Sequence, residues 1–161
     1  MQLEFSADNE ARLGRLLAEY PDRQACLLPA LYIAQEQFGY LTHEVMELVA
    51  ERIGMPPGEV LSTATFYTMF RKRPTGKYHI QVCGNVSCFL RGSDRLMTAL
   101  SKTLGIGDGE TTEDGLFTLS AVQCLAACGT APALQVNDTY YEEMTPEKVV
   151  ELVGRLREEA K

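Results

Sequence analysis

Apolar residues in the first 73 positions recur with the period of an α-helix. The first such segment has the i, i+3, i+4, i+7 spacing of one buried face: Leu13, Leu16, Leu17 and Tyr20. Three further helices are predicted over residues 23–38, 43–53 and 58–70. Because each of the four has an apolar face, we expect them to pack as a compact helical bundle.

Residues typical of helix ends set these bounds. Thr42 has the side chain of an N-cap, and glycines follow the second and third helices as Gly39 and Gly54. Pro29 lies inside the second segment, where we expect it to kink the helix or to mark its true start. An aromatic group near the end of the fourth helix, Thr65-Phe66-Tyr67 with Phe70, is interpreted either as core or as part of a docking surface.

Beyond the basic cluster Arg71-Lys72-Arg73 the apolar period changes. Residues 77–83 (KYHIQVC) alternate as a strand does, and further strands are predicted over 116–123, 134–136 and 139–141. A helix is predicted over 93–104, and another begins after Thr145-Pro146 with its apolar side chains inward: Val149, Val150, Leu152, Val153 and Leu156. The order β-α-β-β-β-α predicts a small sheet with helices packed on it. We therefore expect an α+β chain of two domains, residues 1–75 and 76–161.

Charge and composition narrow the function classes. The 161 residues include 15 basic and 22 acidic side chains, a net charge of −7, which argues against broad nucleic-acid binding. No apolar run opens the chain or approaches the length of a membrane span, so we expect neither a signal peptide nor direct membrane insertion. These features favour a cytoplasmic protein with reduced thiols, in which spaced cysteines more often mean metal binding or catalysis than disulfides.

Four of the five cysteines lie in the second half, as Cys83, Cys88, Cys124 and Cys128. Each pair comes where a predicted strand runs out into a loop. If the two strands are parallel neighbours, both loops emerge at one end of the sheet and the four thiols converge. Structural zinc sites usually show two C-x2-C pairs, and thiol–disulfide redox centres usually show one such pair. The C-x2-C spacing does not occur among these four cysteines. A [2Fe-2S] cluster, which takes two thiolates on each iron, is favoured; structural zinc and disulfides stay open.

The residues around these cysteines resemble a known family. The stretch CGNVSCFLRGSDRLMTALSKTLGIGDGETTEDGLFTLSAVQCLAACGTAPALQVND, with GEVLSTATFYTMF upstream, is similar to the thioredoxin-like [2Fe-2S] ferredoxins, and most of all to the E-type subunits of NADH–quinone oxidoreductase (respiratory complex I). The resemblance covers nearly the whole chain. It implies a thioredoxin-like α/β domain at 76–161 that binds one [2Fe-2S] cluster through Cys83, Cys88, Cys124 and Cys128. It also implies that residues 1–75 form a helical docking domain.

The same resemblance implies the role of the chain in a larger enzyme. It would be an electron-transfer subunit whose cluster exchanges single electrons with the flavin of an NADH-oxidising partner subunit, with further iron–sulfur subunits beyond it. NAD and FMN would belong to that partner, because the chain shows no motif for either, and the chain alone would not oxidise NADH. The complex would hold it at the inner face of the cell membrane. Alternative hosts are NAD-linked hydrogenases, formate dehydrogenases and bifurcating enzymes; an alternative of another class is a zinc-stabilised interaction module.

One position departs from the family, and several other residues are interpreted as structural. The family usually has glycine where this chain has Ala126, which would cost about 1 kcal/mol if that position needs a positive φ. Cys26 is predicted to be a buried thiol, His79 a strand residue and His43 a solvated residue at a helix start. The glycines of residues 105–109 are predicted to form a loop and not a dinucleotide site.

Overall fold

The computed structural model describes residues 3–161, which divide into two compact units, the first ending at Pro74 and the second beginning at Thr75. Four helices build the first unit: α1 (Ala7–Glu19), α2 (Arg23–Phe38), α3 (His43–Ile53) and α4 (Pro57–Phe66). The N-caps Ser6, Asp22 and Thr42 each accept a backbone N–H bond at the start of α1, α2 and α3. The hydrophobic core between the helices includes Leu13, Leu31, Val49, Ile53, Val60 and Phe70.

The first unit confirms the predicted bounds of α2 and α3, excludes one of the two alternatives for Pro29 and corrects two details. Pro29 lies well inside α2 and does not mark its start. Tyr20 was predicted on the buried face of the first helix, but it follows the last residue of α1 and is 41% exposed. The predicted fourth helix runs too far: it ends at Phe66, because Tyr67 adopts extended backbone angles (φ −86°, ψ 120°).

The second unit is a four-stranded sheet with helices packed on it, so the predicted α+β class is confirmed. Its elements in chain order are β1 (Tyr78–Cys83), α5 (Val86–Leu90), α6 (Ser93–Leu104), β2 (Phe117–Val122), β3 (Leu134–Val136), β4 (Thr139–Tyr141) and α7 (Pro146–Glu159). The order across the sheet is β2-β1-β3-β4; β1 is parallel to β2, and the other two pairings are antiparallel. The core includes Ile80, Leu96, Leu100, Phe117, Leu119, Leu134 and Leu152.

Two expectations for this unit need correction. Residues 86–90, for which no helix was predicted after the first strand, form the short helix α5, which begins after the N-cap Asn85. Val150 was predicted to face inward, yet it is 47% exposed, because the inward stripe of α7 passes through Val149, Val153 and Leu156 instead. Within residues 3–161, no helix combines the length and the apolar character of a membrane span.

Candidate metal centre at the end of the sheet

The parallel pairing of β1 and β2 places the two cysteine loops together. Tyr78 pairs with Phe117 and, at the far end of the register, Cys83 pairs with Val122. Both strands therefore run out at the same edge of the sheet. Cys83 is the last residue of β1, and Cys124 comes two positions after the end of β2. The parallel pairing on which the predicted convergence of the two loops depends is therefore present.

The first loop returns its second cysteine to the sheet by means of α5. The Asn85 side chain accepts the Val86 N–H at 2.7 Å, which starts the helix directly after the strand. One turn later Cys88 joins Cys83 in one small buried cluster. Both residues are almost fully buried, with 3% and 2% of their surfaces exposed. The inner half of the site is therefore fixed by the fold of the sheet.

The second loop lies at the surface. Cys124 and Cys128 are both exposed. Between them Ala126 has a positive φ of 58°, and its N–H donates to the Cys124 Sγ at 3.2 Å. A 3₁₀ turn, Cys128–Thr130, follows. Ala126 thus has the positive φ that favours glycine, and alanine adopts it at a cost of about 1–2 kcal/mol.

All four cysteines line a single cavity of about 150 Å³. Its remaining walls are Asn85, Val86, Ser87 and Ala127. Every wall residue comes from the end of β1 or from the segments that follow β1 and β2, and no acidic or basic side chain is among them. The cavity therefore presents sulfur and backbone groups, a surface suited to a soft, thiolate-bound metal group.

Burial and backbone N–H groups act in opposite directions on the pKa values of the inner thiols. Burial opposes ionisation of Cys83, but hydrogen bonds from the Asn85 and Leu125 N–H groups and from the Cys88 thiol hold its pKa below the ordinary thiol value. Burial raises the pKa of the Cys88 thiol, and its neighbour Cys83 adds to that rise, against one N–H bond from Ala133. Cys83 is therefore the first of this pair to become a thiolate.

The donor set fits a binuclear cluster. Among residues 3–161 no three His, Cys, Asp or Glu side chains are grouped as the ligands of one metal ion. A [2Fe-2S] cluster needs two thiolates on each iron, and the four cysteines that line this cavity match that number. N–H groups directed at the sulfurs are the contacts that stabilise and tune such clusters.

The other residues considered from the sequence lie elsewhere. Cys26 is fully buried in the first unit, and its thiol is directed at the Leu16 carbonyl oxygen at 3.6 Å. His79 is a residue of β1 whose Nε2 lies 2.9 Å from the Ser120 Oγ. His43 is exposed at the start of α3. Sequence reasoning missed the N–H donors of Leu125 and Ala133, since backbone donors carry no residue-type signal.

Known proteins resemble this chain over most of its length. The model of the thioredoxin-like [2Fe-2S] ferredoxin family matches residues 13–157. An E-type subunit of NADH-quinone oxidoreductase from Rhizobium meliloti is 48% identical over 87% of this chain and 83% of its own length. The E-type subunit of the same enzyme from Rickettsia bellii is 42% identical over 95% and 93%. That from Mycobacterium tuberculosis is 42% identical over 92% of this chain, but only 59% of its own length is matched.

A solved structure shares the fold at lower identity. In the H2-reduced crystal structure of an NAD+-reducing [NiFe]-hydrogenase, one chain matches 82% of this chain with a TM-score of 0.72 and 24% identity. The match covers 22% of the hydrogenase chain. This likeness concerns the fold, which the two chains share over most of the length of this one.

Proposed function

Because the chain belongs to the thioredoxin-like [2Fe-2S] ferredoxin family, we propose that it is the electron-transfer subunit of an NADH–quinone oxidoreductase. The observation that carries the proposal is the convergence of Cys83, Cys88, Cys124 and Cys128 on one cavity at the end of the sheet. The curated relatives with this name match almost the full length of the chain, which supports the same role here.

In this proposal the four cysteines hold one [2Fe-2S] cluster, residues 76–161 forming the cluster domain and residues 1–75 a docking domain. The bound cluster supplies one-electron chemistry, taking up and returning single electrons. The N–H groups of Asn85, Leu125 and Ala133 donate to the buried sulfurs, and that of Ala126 donates to an exposed one. These donors stabilise the negative charge that the thiolates carry and that increases on reduction.

The proposal assigns NADH and flavin chemistry to a partner. The partner subunit would hold FMN and bind NADH, with further iron–sulfur subunits reached through it, and the chain alone would not oxidise NADH. The complex would keep the chain at the inner face of the cell membrane. The cysteine cavity has no acidic or basic side chain in its wall, and the proposal assigns it to the cluster alone.

Metal analysis of the anaerobically purified full chain tests the cluster. We expect about two iron atoms and about two acid-labile sulfides per chain, together with an EPR signal after reduction by dithionite. Stoichiometric zinc in a colourless protein would contradict the proposal and identify a zinc-stabilised interaction module instead.

Co-purification identifies the host complex. The tagged chain is isolated from its own organism, and its companions are determined by mass spectrometry. Membrane subunits that reduce quinone are the expected companions. A nickel–iron subunit or a formate-oxidising subunit in their place would show that the chain serves a different NAD-linked enzyme.

A further inference from the structure

Residues 65–73 comprise the end of α4 and the loop that follows it, and are here named the aromatic–basic loop. This segment exposes large apolar side chains in the first unit. Phe66 is 77% exposed, and Met69 is exposed as well. The Phe66 ring meets the Tyr67 ring edge-on, with 5.0 Å between centroids. Isolated exposed apolar residues are ordinary, but adjacent aromatic rings that pack on each other in solvent form a patch of the kind that marks interaction sites.

Contacts with the helical core hold the aromatic–basic loop in place. Phe70 is 1% exposed and anchors the loop in the helical core. The Gln35 side chain of α2 donates to the Met69 carbonyl at 3.2 Å and accepts the Arg71 N–H at 2.6 Å. The Leu41 N–H donates to the Arg71 carbonyl at 2.7 Å. These bonds fix the backbone on both sides of Phe70, while Phe66 is the last residue of α4 and the Tyr67 N–H donates to the Thr63 carbonyl. Because the backbone that carries the exposed rings is already ordered, binding through them costs less conformational entropy.

The loop also concentrates positive charge. Arg71, Lys72 and Arg73 are consecutive, whereas the rest of residues 1–75 holds four basic and ten acidic side chains. Lys72 and Arg73 are both exposed. A basic rim beside exposed aromatic rings complements an acidic surface with an apolar centre. The acidic remainder of the chain, by contrast, repels such a surface and so restricts the contact to this loop.

We propose that the aromatic–basic loop is a docking surface for an acidic, apolar-centred face of the flavin-bearing partner subunit. The inference rests on the proposed function for the identity of that partner. Insertion of the Phe66 ring into an apolar pocket would supply the central contact, with Lys72 and Arg73 at the rim. An anionic lipid surface is disfavoured, because lipid-binding clusters contain about four to eight basic residues and the chain carries a net charge of −7.

The test measures binding of the full-length chain to the purified flavin- and NADH-binding subunit of the same organism. Phe66→Ala should raise Kd about 10- to 30-fold, as the loss of a central aromatic contact does. Lys72→Glu combined with Arg73→Glu should also raise Kd and should flatten its dependence on salt. Matched controls in the same unit are Tyr20→Ala and Arg15→Glu, which remove an exposed ring and an exposed charge outside the loop; both should bind as the unchanged chain does.

The outcomes separate the surface from the partner. Failure of the unchanged chain to bind would overturn both the proposed partnership and the docking surface. Binding that is equally strong with the loop variants would overturn the docking surface alone. A further experiment measures adsorption of the chain to vesicles of phosphatidylcholine with phosphatidylglycerol. If the loop variants lose this adsorption but still bind the partner subunit, the loop binds a lipid surface instead. Unchanged far-UV circular dichroism and melting of each variant confirm that folding is not the cause.

Discussion

Cys83 lies opposite Val122 at the end of the parallel pairing of β1 and β2. This register places the start of the first cysteine loop beside the start of the second, although 41 positions separate Cys83 from Cys124 in the chain. The inner pair of thiols is buried by the sheet and α5, whereas the outer pair lies at the surface. The site is thus anchored on one side and accessible on the other, as electron exchange with a partner requires.

Exposed Cys124 offers a test of ligation that is separate from folding. Cys124→Ser should abolish or shift the EPR signal of the dithionite-reduced protein, because serine replaces a thiolate ligand, while the apolar core of the sheet is untouched. The control Cys26→Ser changes a fully buried thiol in the other unit. We expect it to lower the free energy of unfolding by about 1 kcal/mol and to leave the signal intact. An unchanged spectrum for Cys124→Ser would remove Cys124 from the ligand set.

Gly76 packs where no side chain fits. A Cβ at this position would lie 2.8 Å from the backbone N and C of Phe117, and the Gly76 N–H donates to the Thr118 Oγ1 at 2.6 Å. Gly76→Ala must displace the start of β2, so we expect it to lower the free energy of unfolding by about 1–3 kcal/mol in urea denaturation. The control Gly154→Ala lies in α7 with open space around it. It should instead stabilise the protein by about 1 kcal/mol; an equal loss in both variants would contradict the steric argument.

Elements with strong local signals could be predicted from the sequence. The helices α2, α3 and α6 have the predicted bounds, since capping residues and glycines mark their ends. The end of α4 was missed because Phe70 continues the helical period. In the structure Phe70 is buried from a loop, which Gln35 holds in place through bonds to Met69 and Arg71. A long-range side-chain bond of this kind leaves no local pattern.

The candidate site also has features that could be predicted from the sequence and features that could not. The sequence predicted the convergence of four cysteines because strand ends and loop starts are local features. The inner and outer character of the two pairs could not be predicted, since it depends on α5, a five-residue helix too short for a periodic signal. The positive φ of Ala126 could be named only as a condition, and the structure shows that the condition holds.

Ala126 therefore gives a prediction about backbone strain in the outer loop. Its φ of 58° costs an L-residue about 1–2 kcal/mol, and glycine relieves this at the expense of some unfolded-state entropy. Ala126→Gly should raise the free energy of unfolding by about 0.5–1 kcal/mol, measured by urea denaturation under anaerobic conditions. The neighbouring control Ala127→Gly has a φ of −99° and no strain to relieve, so it should destabilise the protein. If both changes stabilised the protein, the cause would be a general loosening of the loop and not the φ of Ala126.

Asp114 makes the stability of the turn before β2 depend on pH. Its carboxylate accepts the Thr112 hydroxyl and the Leu116 N–H at 2.9 Å, and these bonds, the Thr112 bond first, hold the pKa of Asp114 below its ordinary value. A carboxyl whose pKa is lowered by folding stabilises the folded state above its unfolded pKa, and loses that effect as pH falls through the folded pKa. Asp114→Asn keeps an acceptor oxygen but removes the charge. The variant should therefore be less stable than the unchanged chain at neutral pH, and urea midpoints should converge below about pH 4. A stability difference that stays constant across this range would mean that the turn depends on the shape of the side chain and not on its ionisation.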